Sequence, residues 1–297
     1  MEAALAQIHP AVAELRPGQR FEGRYACLSK DRLVSRSGSA YLSLRLRDRS
    51  GEIAARAFRD ADRLGLRFEA GDAIAVRGKV ERYRGELVVE VDDARRLEPG
   101  TFDPGDFLPA AYRSVDELEG FLEHLTREIA DPALRDVVES LVFDGELADD
   151  FRRAPCTRAS HHAYLGGLLE HTVAVATLVG ETCILHPRLD SDMLMAAAIV
   201  HDCGRAREFT YGAEFGLSEE GRLLGHLAIG AEIVGSAAGG LAPERRLSLL
   251  HCVLSHHGPE AAGRAGGRGA FGSPEALALF RLNSLDASVK GALEHGL

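Results

Sequence analysis

The spacing of hydrophobic residues changes about a third of the way along the chain. Residues 41–47 alternate strictly, with leucines on one face and polar or aromatic side chains on the other, which predicts a half-buried β-strand. From residue 114 onward, apolar residues recur at helical spacing instead. The chain is therefore predicted to be multidomain. An all-β domain covers residues 18–98, a linker covers 99–113, and an all-α domain covers 114–297.

The β-rich part has the strand order of an OB barrel. Strands are predicted at residues 21–30, 41–47, 52–58, 73–83 and 86–91, with a short helix at 60–68 between the third and fourth. The second and third strands of an OB barrel commonly face nucleic acid. The predicted outer face of these strands presents Tyr41, Arg45, Arg47, Arg56 and Phe58. Aromatic rings stack on bases and arginines follow phosphates, so we expect single-stranded RNA or DNA to bind there. A solvated sheet surface is the alternative.

The helical part is marked by capping residues. Ser114 and Glu117 form a capping box that opens a helix running to about residue 130, and Ser273 with Pro274 opens the last helix. Further helices are predicted at 132–142, 163–185, 191–203, 221–237, 243–256 and 274–294. The glycine-rich stretch 258–272 is predicted to be a loop.

Charge is distributed unevenly along the chain. The net charge is −10, yet residues 18–98 carry 18 Lys and Arg against 14 Asp and Glu, a balance of +4. Residues 99–297 carry 16 against 29, a balance of −13. The β-rich part is thus the favoured partner for a polyanion, and the helical part is rich in carboxylates.

Cysteine usage and hydropathy bear on location. Five scattered cysteines without a C-x-x-C pair disfavour a disulfide framework and favour a reducing cytoplasm. We find neither an uninterrupted run of about 18 apolar residues nor a signal-peptide pattern, so we expect a cytoplasmic protein without a membrane partner.

Histidines and aspartates at wide intervals are the candidate metal ligands. They are His171, His201, Asp202, His226, His256, His257 and Asp286, each in or at the end of an apolar helical stretch. A lone histidine is usually structural, but imidazoles and carboxylates from several helices can together hold divalent metals and activate water. Asp286 in an apolar helix would be costly to bury unpaired, and a metal would offset that cost. The nitrogen-rich set disfavours a purely Mg²⁺ site.

These residues resemble a known superfamily. The stretches around His171, His201-Asp202, Gly225-His226, His256-His257-Gly258 and Asp286 are similar to the HD metal-dependent phosphohydrolases. With the OB-like domain, residues 18–295 resemble YhaM-type 3′–5′ exoribonucleases. The resemblance implies that His171, His201, Asp202 and Asp286 form the common HD metal site. It also implies that His226, His256 and His257 are further ligands of a binuclear site, with Asp202 as the bridge.

Two neighbouring features extend this interpretation. Arg205 stands where the family often has lysine, and it is predicted to hold a substrate phosphate, with a salt bridge at the helix end as the alternative. His161 and His162 also resemble the family pattern and could contact a phosphate or serve a structural role. We predict Asp202 and Arg205 as catalytic residues. The resemblance implies about two transition ions per chain, with Mn²⁺ favoured and iron, cobalt or nickel as alternatives.

Three functions stay open from the sequence. The first is a metal-dependent 3′–5′ exonuclease that uses metal-activated water on single-stranded RNA, or also DNA. Its polarity comes from the resemblance. The second is a small-nucleotide phosphohydrolase with a regulatory OB domain, and the third is a non-catalytic single-strand-binding protein. A P-loop and a G-x-S-x-G nucleophile motif are missing from the sequence, which disfavours ATP hydrolysis of the P-loop type. The sequence also leaves open whether the chain forms a homo-oligomer.

Overall fold

The computed structural model describes residues 9–35, 38–98, 100–261 and 271–296. The chain divides into two compact units, one formed by Met1–Pro109 with Tyr211–Gly216 and the other by Ala110–Thr210 with Leu217–Leu297. Residues 262–270 of the predicted glycine-rich loop lie outside the described residues.

The first unit is built on a closed barrel. Its strands are β1 (Arg20–Val34), β2 (Ala40–Asp48), β3 (Gly51–Ala57), β4 (Ala73–Tyr83) and β5 (Glu86–Arg96), and helix α1 (Ala61–Gly65) lies between β3 and β4. The barrel order is β1-β2-β3-β5-β4, with β3 and β5 parallel and the other neighbours antiparallel. The predicted OB topology is confirmed.

Alternation along β2 builds the barrel core. Leu42, Leu44 and Leu46 are each at most 3% exposed, while the residues between them lie on the outer face. The Tyr25 ring is also buried, and its hydroxyl donates to the carbonyl of Pro10 at 2.7 Å, which satisfies the one polar atom that its burial removes from water. The strict two-residue period therefore sets which side chains stay available on the surface.

The second unit is helical. Its helices are α2 (Val115–Arg127), α3 (Pro132–Val142), α4 (Ala148–Arg153), α5 (Gly167–Leu185), α6 (Ser191–Val200), α7 (Arg205–Glu208), α8 (Glu219–Leu223), α9 (Gly225–Ala237), α10 (Pro243–Ser255) and α11 (Pro274–His295). The Ser114 hydroxyl caps α2 by accepting from the backbone N–H of Glu117 at 3.2 Å, and Ser273 caps α11 in the same way. Short helices α4 and α7 were not predicted.

Two other features differ from the helical prediction. The predicted helix at 221–237 is divided into α8 and α9 at Gly225, whose φ of 71° interrupts the helix. A hairpin of two three-residue strands, β6 (Phe209–Tyr211) and β7 (Phe215–Leu217), follows α7. Strands this short are below the length at which an alternating pattern can be recognised.

Helix α5 is long and apolar enough to cross a membrane by length and composition. Nine of its residues are buried, among them His171, and it packs against α2, α6 and α11. Burial in the helical core accounts for this apolarity, because a core helix needs hydrophobic residues on several sides.

Two glycines allow the backbone segments around the candidate site to approach each other. A Cβ on Gly167 would lie 2.1 Å from the carbonyl oxygen of His162, and one on Gly204 would lie 2.1 Å from that of His226. No side chain fits at these distances. The start of α5 can therefore pack on the preceding loop, and α9 can pack on the turn after Asp202.

Candidate metal centre and nucleic-acid interface

Five elements of the helical unit deliver the predicted ligands to one place. His171 lies on α5 and Asp286 on α11, while His226 is the second residue of α9. His201-Asp202 directly follows α6, and His256-His257 directly follows α10. His171, His201, Asp202 and His256 are each at most 2% exposed. The wide sequence intervals thus correspond to separate helices that meet at one place.

The carboxylate of Asp202 lies between two pairs of imidazoles. Its Oδ1 is 3.4 Å from Nε2 of His226 and 3.3 Å from Nε2 of His256. Its Oδ2 is 3.9 Å from Nε2 of His171 and 3.8 Å from Nε2 of His201. His257 adds a third imidazole on the Oδ1 side, with its Nε2 2.9 Å from that of His226. One carboxylate therefore faces two groups of nitrogen donors, as a bridging ligand would.

Backbone hydrogen bonds fix the tautomers of two of these rings. The Nδ1 of His201 lies 2.8 Å from the carbonyl oxygen of Ala198, and the Nδ1 of His256 lies 2.6 Å from that of Val253. Because a carbonyl oxygen can only accept, each Nδ1 must carry the proton. Each Nε2 therefore presents a lone pair towards Asp202, the form that binds a metal.

The donor set fits a cation. The Nε2 atoms of His171 and His201 are 3.2 Å apart, and both Nδ1 atoms face acceptors, so in the neutral rings both Nε2 atoms carry lone pairs that point towards each other. Oδ1 of Asp202 and Nε2 of His256 are buried without a hydrogen-bond partner among the described residues. Lone pairs that converge and buried acceptors without donors are costly unless a cation lies among them. Groups drawn from these residues are close enough to hold a metal ion.

Electrostatics keep the donors in their binding forms. Burial lowers the pKa of His201 well below its usual range, and burial with the neighbouring His256 lowers the pKa of His257 to about 3. Burial alone would raise the pKa of Asp202, but Arg205 and the surrounding histidines hold it well below its usual range. These residues therefore supply neutral imidazoles and an ionised carboxylate at neutral pH.

Asp286 lies on the far side of His171. Its Oδ2 is 2.6 Å from Nδ1 of His171 and 2.9 Å from Nε2 of His162. Burial would raise the pKa of Asp286, but hydrogen bonds from the two histidines lower it. His162 is 2% exposed, and its Nδ1 lies 2.9 Å from the hydroxyl of Tyr164. Asp286 and His162 thus form a hydrogen-bonded support for His171.

Arg205 is held by two carboxylates. Its Nη1 donates to Oε2 of Glu208 at 2.9 Å, and its Nε lies 3.4 Å from Oδ2 of Asp202. The Arg205 side chain is only 11% exposed. Glu208 also lies 3.5 Å from Nδ1 of His226 through Oε1. The guanidinium is therefore engaged inside the site, as in the salt-bridge alternative, and its predicted contact with a phosphate stays a prediction.

Three residues near the site were not predicted. Glu208 contacts both Arg205 and His226, and Tyr164 links His162 to Glu170 by donating to the latter's carboxylate at 2.9 Å. Cys156 is fully buried, with its Sγ 3.6 Å from Nε2 of His161. Burial, followed by the neighbouring His171, lowers the pKa of His161 to about 4. The sequence signal for Glu208 was its position one turn after Arg205, at a spacing that allows a helical ion pair.

The barrel unit presents the predicted nucleic-acid face in part. The rings of Tyr41 and Phe58 lie side by side, with centroids 5.3 Å apart. The guanidinium of Arg56 stacks on Tyr83 at 4.2 Å, which adds an aromatic residue that was not predicted. Arg45 is exposed and pairs with Glu52 at 3.2 Å. These residues form an aromatic and basic surface suited to single-stranded nucleic acid.

Arg47 differs from the other predicted residues of this face. It donates to the carbonyl oxygen of Ala213 at 3.1 Å, and its Nε is buried without a partner among the described residues. Ala213 lies in Tyr211–Gly216 and packs in a small apolar cluster with Ala26, Ala73, Leu97 and Phe107. Arg47 therefore holds this segment in the structure rather than extending into solvent.

Family models match both parts of the chain. An OB-fold nucleic acid binding domain matches residues 27–97, and an HD domain matches residues 168–288. The chain therefore joins an OB-fold domain to an HD domain, and the predicted class of a metal-dependent hydrolase is confirmed.

Curated relatives align along nearly the whole chain. The protein named 3′-5′ exoribonuclease YhaM from Halalkalibacterium halodurans is 28% identical over 92% of this chain and 84% of its own length. Its Bacillus subtilis namesake is 28% identical over 92% and 86%, respectively. The second OB-fold domain of replication protein A from Methanococcus maripaludis is 20% identical, covering 32% of this chain and 100% of that domain at a TM-score of 0.26.

Proposed function

We propose that this chain is a metal-dependent 3′–5′ exonuclease that acts on single-stranded RNA and also accepts single-stranded DNA. The observation that carries the proposal is the Asp202 carboxylate, faced on each oxygen by the Nε2 atoms of two histidines. The barrel surface around Tyr41, Phe58 and Arg56 favours a strand over a mononucleotide as substrate. The polarity follows the curated relatives, which are named for it.

His171, His201 and Asp202 would hold one divalent ion, and Asp202, His226, His256 and His257 would hold a second. When bound, two such ions would lower the pKa of a water molecule and neutralise charge on the scissile phosphate. The chain itself orients these donors: Ala198 and Val253 fix two rings through their carbonyls, and Asp286 fixes His171. Arg205 helps to keep Asp202 ionised, so that both oxygens would be available as metal ligands.

We propose Mn²⁺ as an ion that supports activity, because imidazole nitrogens dominate the donor set and Mg²⁺ prefers oxygen. The same donor set would also suit iron, cobalt or nickel. A cytoplasmic location is also proposed, supported by the five cysteines, all of which are free thiols.

A gel assay with 5′-labelled single-stranded RNA and Mn²⁺ tests the proposal. The intact chain should shorten the RNA progressively, and Asp202→Ala should abolish shortening without changing RNA binding by the barrel. Asp116→Ala is the control, since it removes an exposed carboxylate in the first turn of α2. RNA binding without cleavage in the intact chain would indicate a non-catalytic binding protein. Cleavage of mononucleotides alone would indicate a small-nucleotide phosphohydrolase.

A further inference from the structure

A buried thiol lies against the His171 side of the metal centre. Cys156 is fully buried in the loop between α4 and α5, and its Sγ donates to Oδ2 of Asp202 at 3.7 Å. On its other side, Sγ is 3.6 Å from Nε2 of His161. The backbone N–H of Cys156 donates to the carbonyl of His162 at 3.0 Å, which holds the thiol in this position.

The surroundings of Cys156 differ from those of the other buried cysteines in this unit. Cys203 and Cys252 belong to the apolar core of the helical unit. Cys156 instead faces a carboxylate and an imidazole, and it groups with His161 and His171 as three donors close enough to share an ion. A cysteine that only fills space would not need two polar partners at the site.

The separations between donor atoms are within a few tenths of an ångström of those in a small coordination sphere. Zinc–sulfur bonds of about 2.3 Å and zinc–nitrogen bonds of about 2.0–2.1 Å imply neighbouring donors about 3.3–3.6 Å apart in a tetrahedron. Sγ of Cys156 lies 3.7 Å from Oδ2 of Asp202, and that oxygen lies 3.9 Å from Nε2 of His171 and 3.8 Å from Nε2 of His201, so a bound ion would draw these donors slightly together. The Nε2–Nε2 distance between His171 and His201 is 3.2 Å.

We propose that Cys156 is a sulfur ligand on the His171–His201–Asp202 side of the centre and gives that side a preference for a thiophilic ion such as Zn²⁺ over Mn²⁺. Thiolate ligands select zinc, whereas imidazole and carboxylate donors are less selective. The thiol releases its proton to solvent as the metal–sulfur bond forms. This inference rests on the metal centre of the proposed function.

The two sides of the centre therefore differ in chemistry. On the Oδ1 side of Asp202, the neighbouring donors are the imidazoles of His226, His256 and His257. We expect one ion to be retained at the Cys156 side and to resist exchange, while the ion at the other side exchanges with Mn²⁺ in the buffer.

Cobalt absorption tests the sulfur ligand directly. The full chain is loaded with Co²⁺ under reducing, oxygen-free conditions, and near-ultraviolet sulfur-to-cobalt charge-transfer absorption is recorded together with bound cobalt. The band should appear in the unaltered chain and in Cys252→Ala, which removes a core thiol. It should be lost in both Cys156→Ser and Cys156→Ala. Circular dichroism of each variant reports whether it folds, and Cys156→Ser keeps the side-chain volume nearly constant.

Competition between Zn²⁺ and Mn²⁺ provides the second readout. The preference for zinc should fall at least about tenfold in the Cys156 variants and stay unchanged in Cys252→Ala. Bound cobalt without the charge-transfer band in the unaltered chain would overturn the inference and leave the proposed nuclease intact. Failure of the unaltered chain to bind cobalt at all would overturn both the inference and the metal centre on which the proposed function depends.

Discussion

Asp286 contacts His171 through the ring nitrogen that points away from Asp202. The 2.6 Å hydrogen bond joins Oδ2 of Asp286 to Nδ1 of His171, so that Nε2 of His171 is directed towards His201 and Asp202. A carboxylate in this position orients an imidazole and raises its basicity, as in the carboxylate–histidine pairs of zinc enzymes. The contact is compatible with a supporting role, while the ligand role that the family resemblance implies stays a prediction, since Asp286 also groups with His162 and His171 closely enough to hold an ion.

Replacing Asp286 separates these two roles. We expect Asp286→Asn to weaken metal binding about 10–100-fold while keeping the number of bound ions, because the amide retains the contact but loses the charge. Metal titration followed by mass-spectrometric metal analysis measures both quantities. Glu275→Gln in the first turn of the same helix is the control and should leave affinity unchanged. Loss of one ion per chain at saturation would assign Asp286 as a direct ligand.

Much of the metal centre could be predicted because two of its residue pairs, His201-Asp202 and His256-His257, end apolar helices. The apolar run before His201 predicts a buried helix, and a polar pair at its end must face an interior cleft or pair with other groups. Glu208 and Cys156 could not be placed in the same way. Glu208 reaches the centre through a four-residue helix, and Cys156 through an irregular loop, and neither element has a recognisable period.

The barrel shows the same distinction. The alternating period of β2 correctly predicted which side chains point outward, and Tyr41 and Phe58 lie together on that face. The two-residue alternation gives no information about which other residues an outward side chain contacts. Arg47 points outward, yet it donates to the carbonyl of Ala213, a residue 166 positions away in the sequence.

Aromatic residues on the barrel should carry binding affinity for the strand. We expect Tyr41→Ala and Phe58→Ala each to weaken binding of a single-stranded oligonucleotide by about 1–3 kcal/mol, because each removes a ring on which a base can stack. Fluorescence anisotropy measures the affinity, and hydrolysis of a small chromogenic phosphodiester should be unchanged. Tyr112→Ala removes a fully exposed ring elsewhere and serves as the control. Unaltered oligonucleotide affinity in both barrel variants would refute the assignment of this face.

Glycine at position 204 should be essential for the position of His226. A Cβ there would lie 2.1 Å from the carbonyl oxygen of His226 and 2.6 Å from the backbone nitrogen of Gly230, so Gly204→Ala must displace α9. Such overpacking typically costs about 1–3 kcal/mol, and we expect weaker metal binding as His226 moves away from Asp202. Thermal unfolding and metal titration measure the two effects.

The matched control for this variant is Gly230→Ala. A Cβ on Gly230 would meet Gly204 at 3.4 Å, an ordinary contact, and alanine is the better helix former. We therefore expect unchanged or higher stability and unchanged metal binding. Equal effects of the two substitutions would show that the close approach at Gly204 does not control the centre.

Removing the metal should destabilise the chain. Buried lone pairs that face one another are satisfied by a bound ion, and a ligand present at about 100 times its Kd stabilises a folded state by about 2.7 kcal/mol. Differential scanning calorimetry should show a lower Tm after chelation and recovery when Mn²⁺ is restored. Asp202→Asn, which weakens the bridging position, should show little recovery. An identical Tm with and without metal in the unaltered chain would contradict the fit of this donor set to a cation.

Arg205 should matter first for stability, because its guanidinium joins Asp202 and Glu208 inside the site. Arg205→Met would leave two buried carboxylates without their cation, and breaking a buried ion pair typically costs about 3–5 kcal/mol. Arg205→Lys keeps the charge but lacks the fork that reaches both partners, so we expect an intermediate loss. Thermal unfolding measures both variants, and steady-state kinetics on single-stranded RNA measures KM and kcat. A large rise in KM for Arg205→Lys at unchanged stability would instead assign Arg205 to the substrate phosphate.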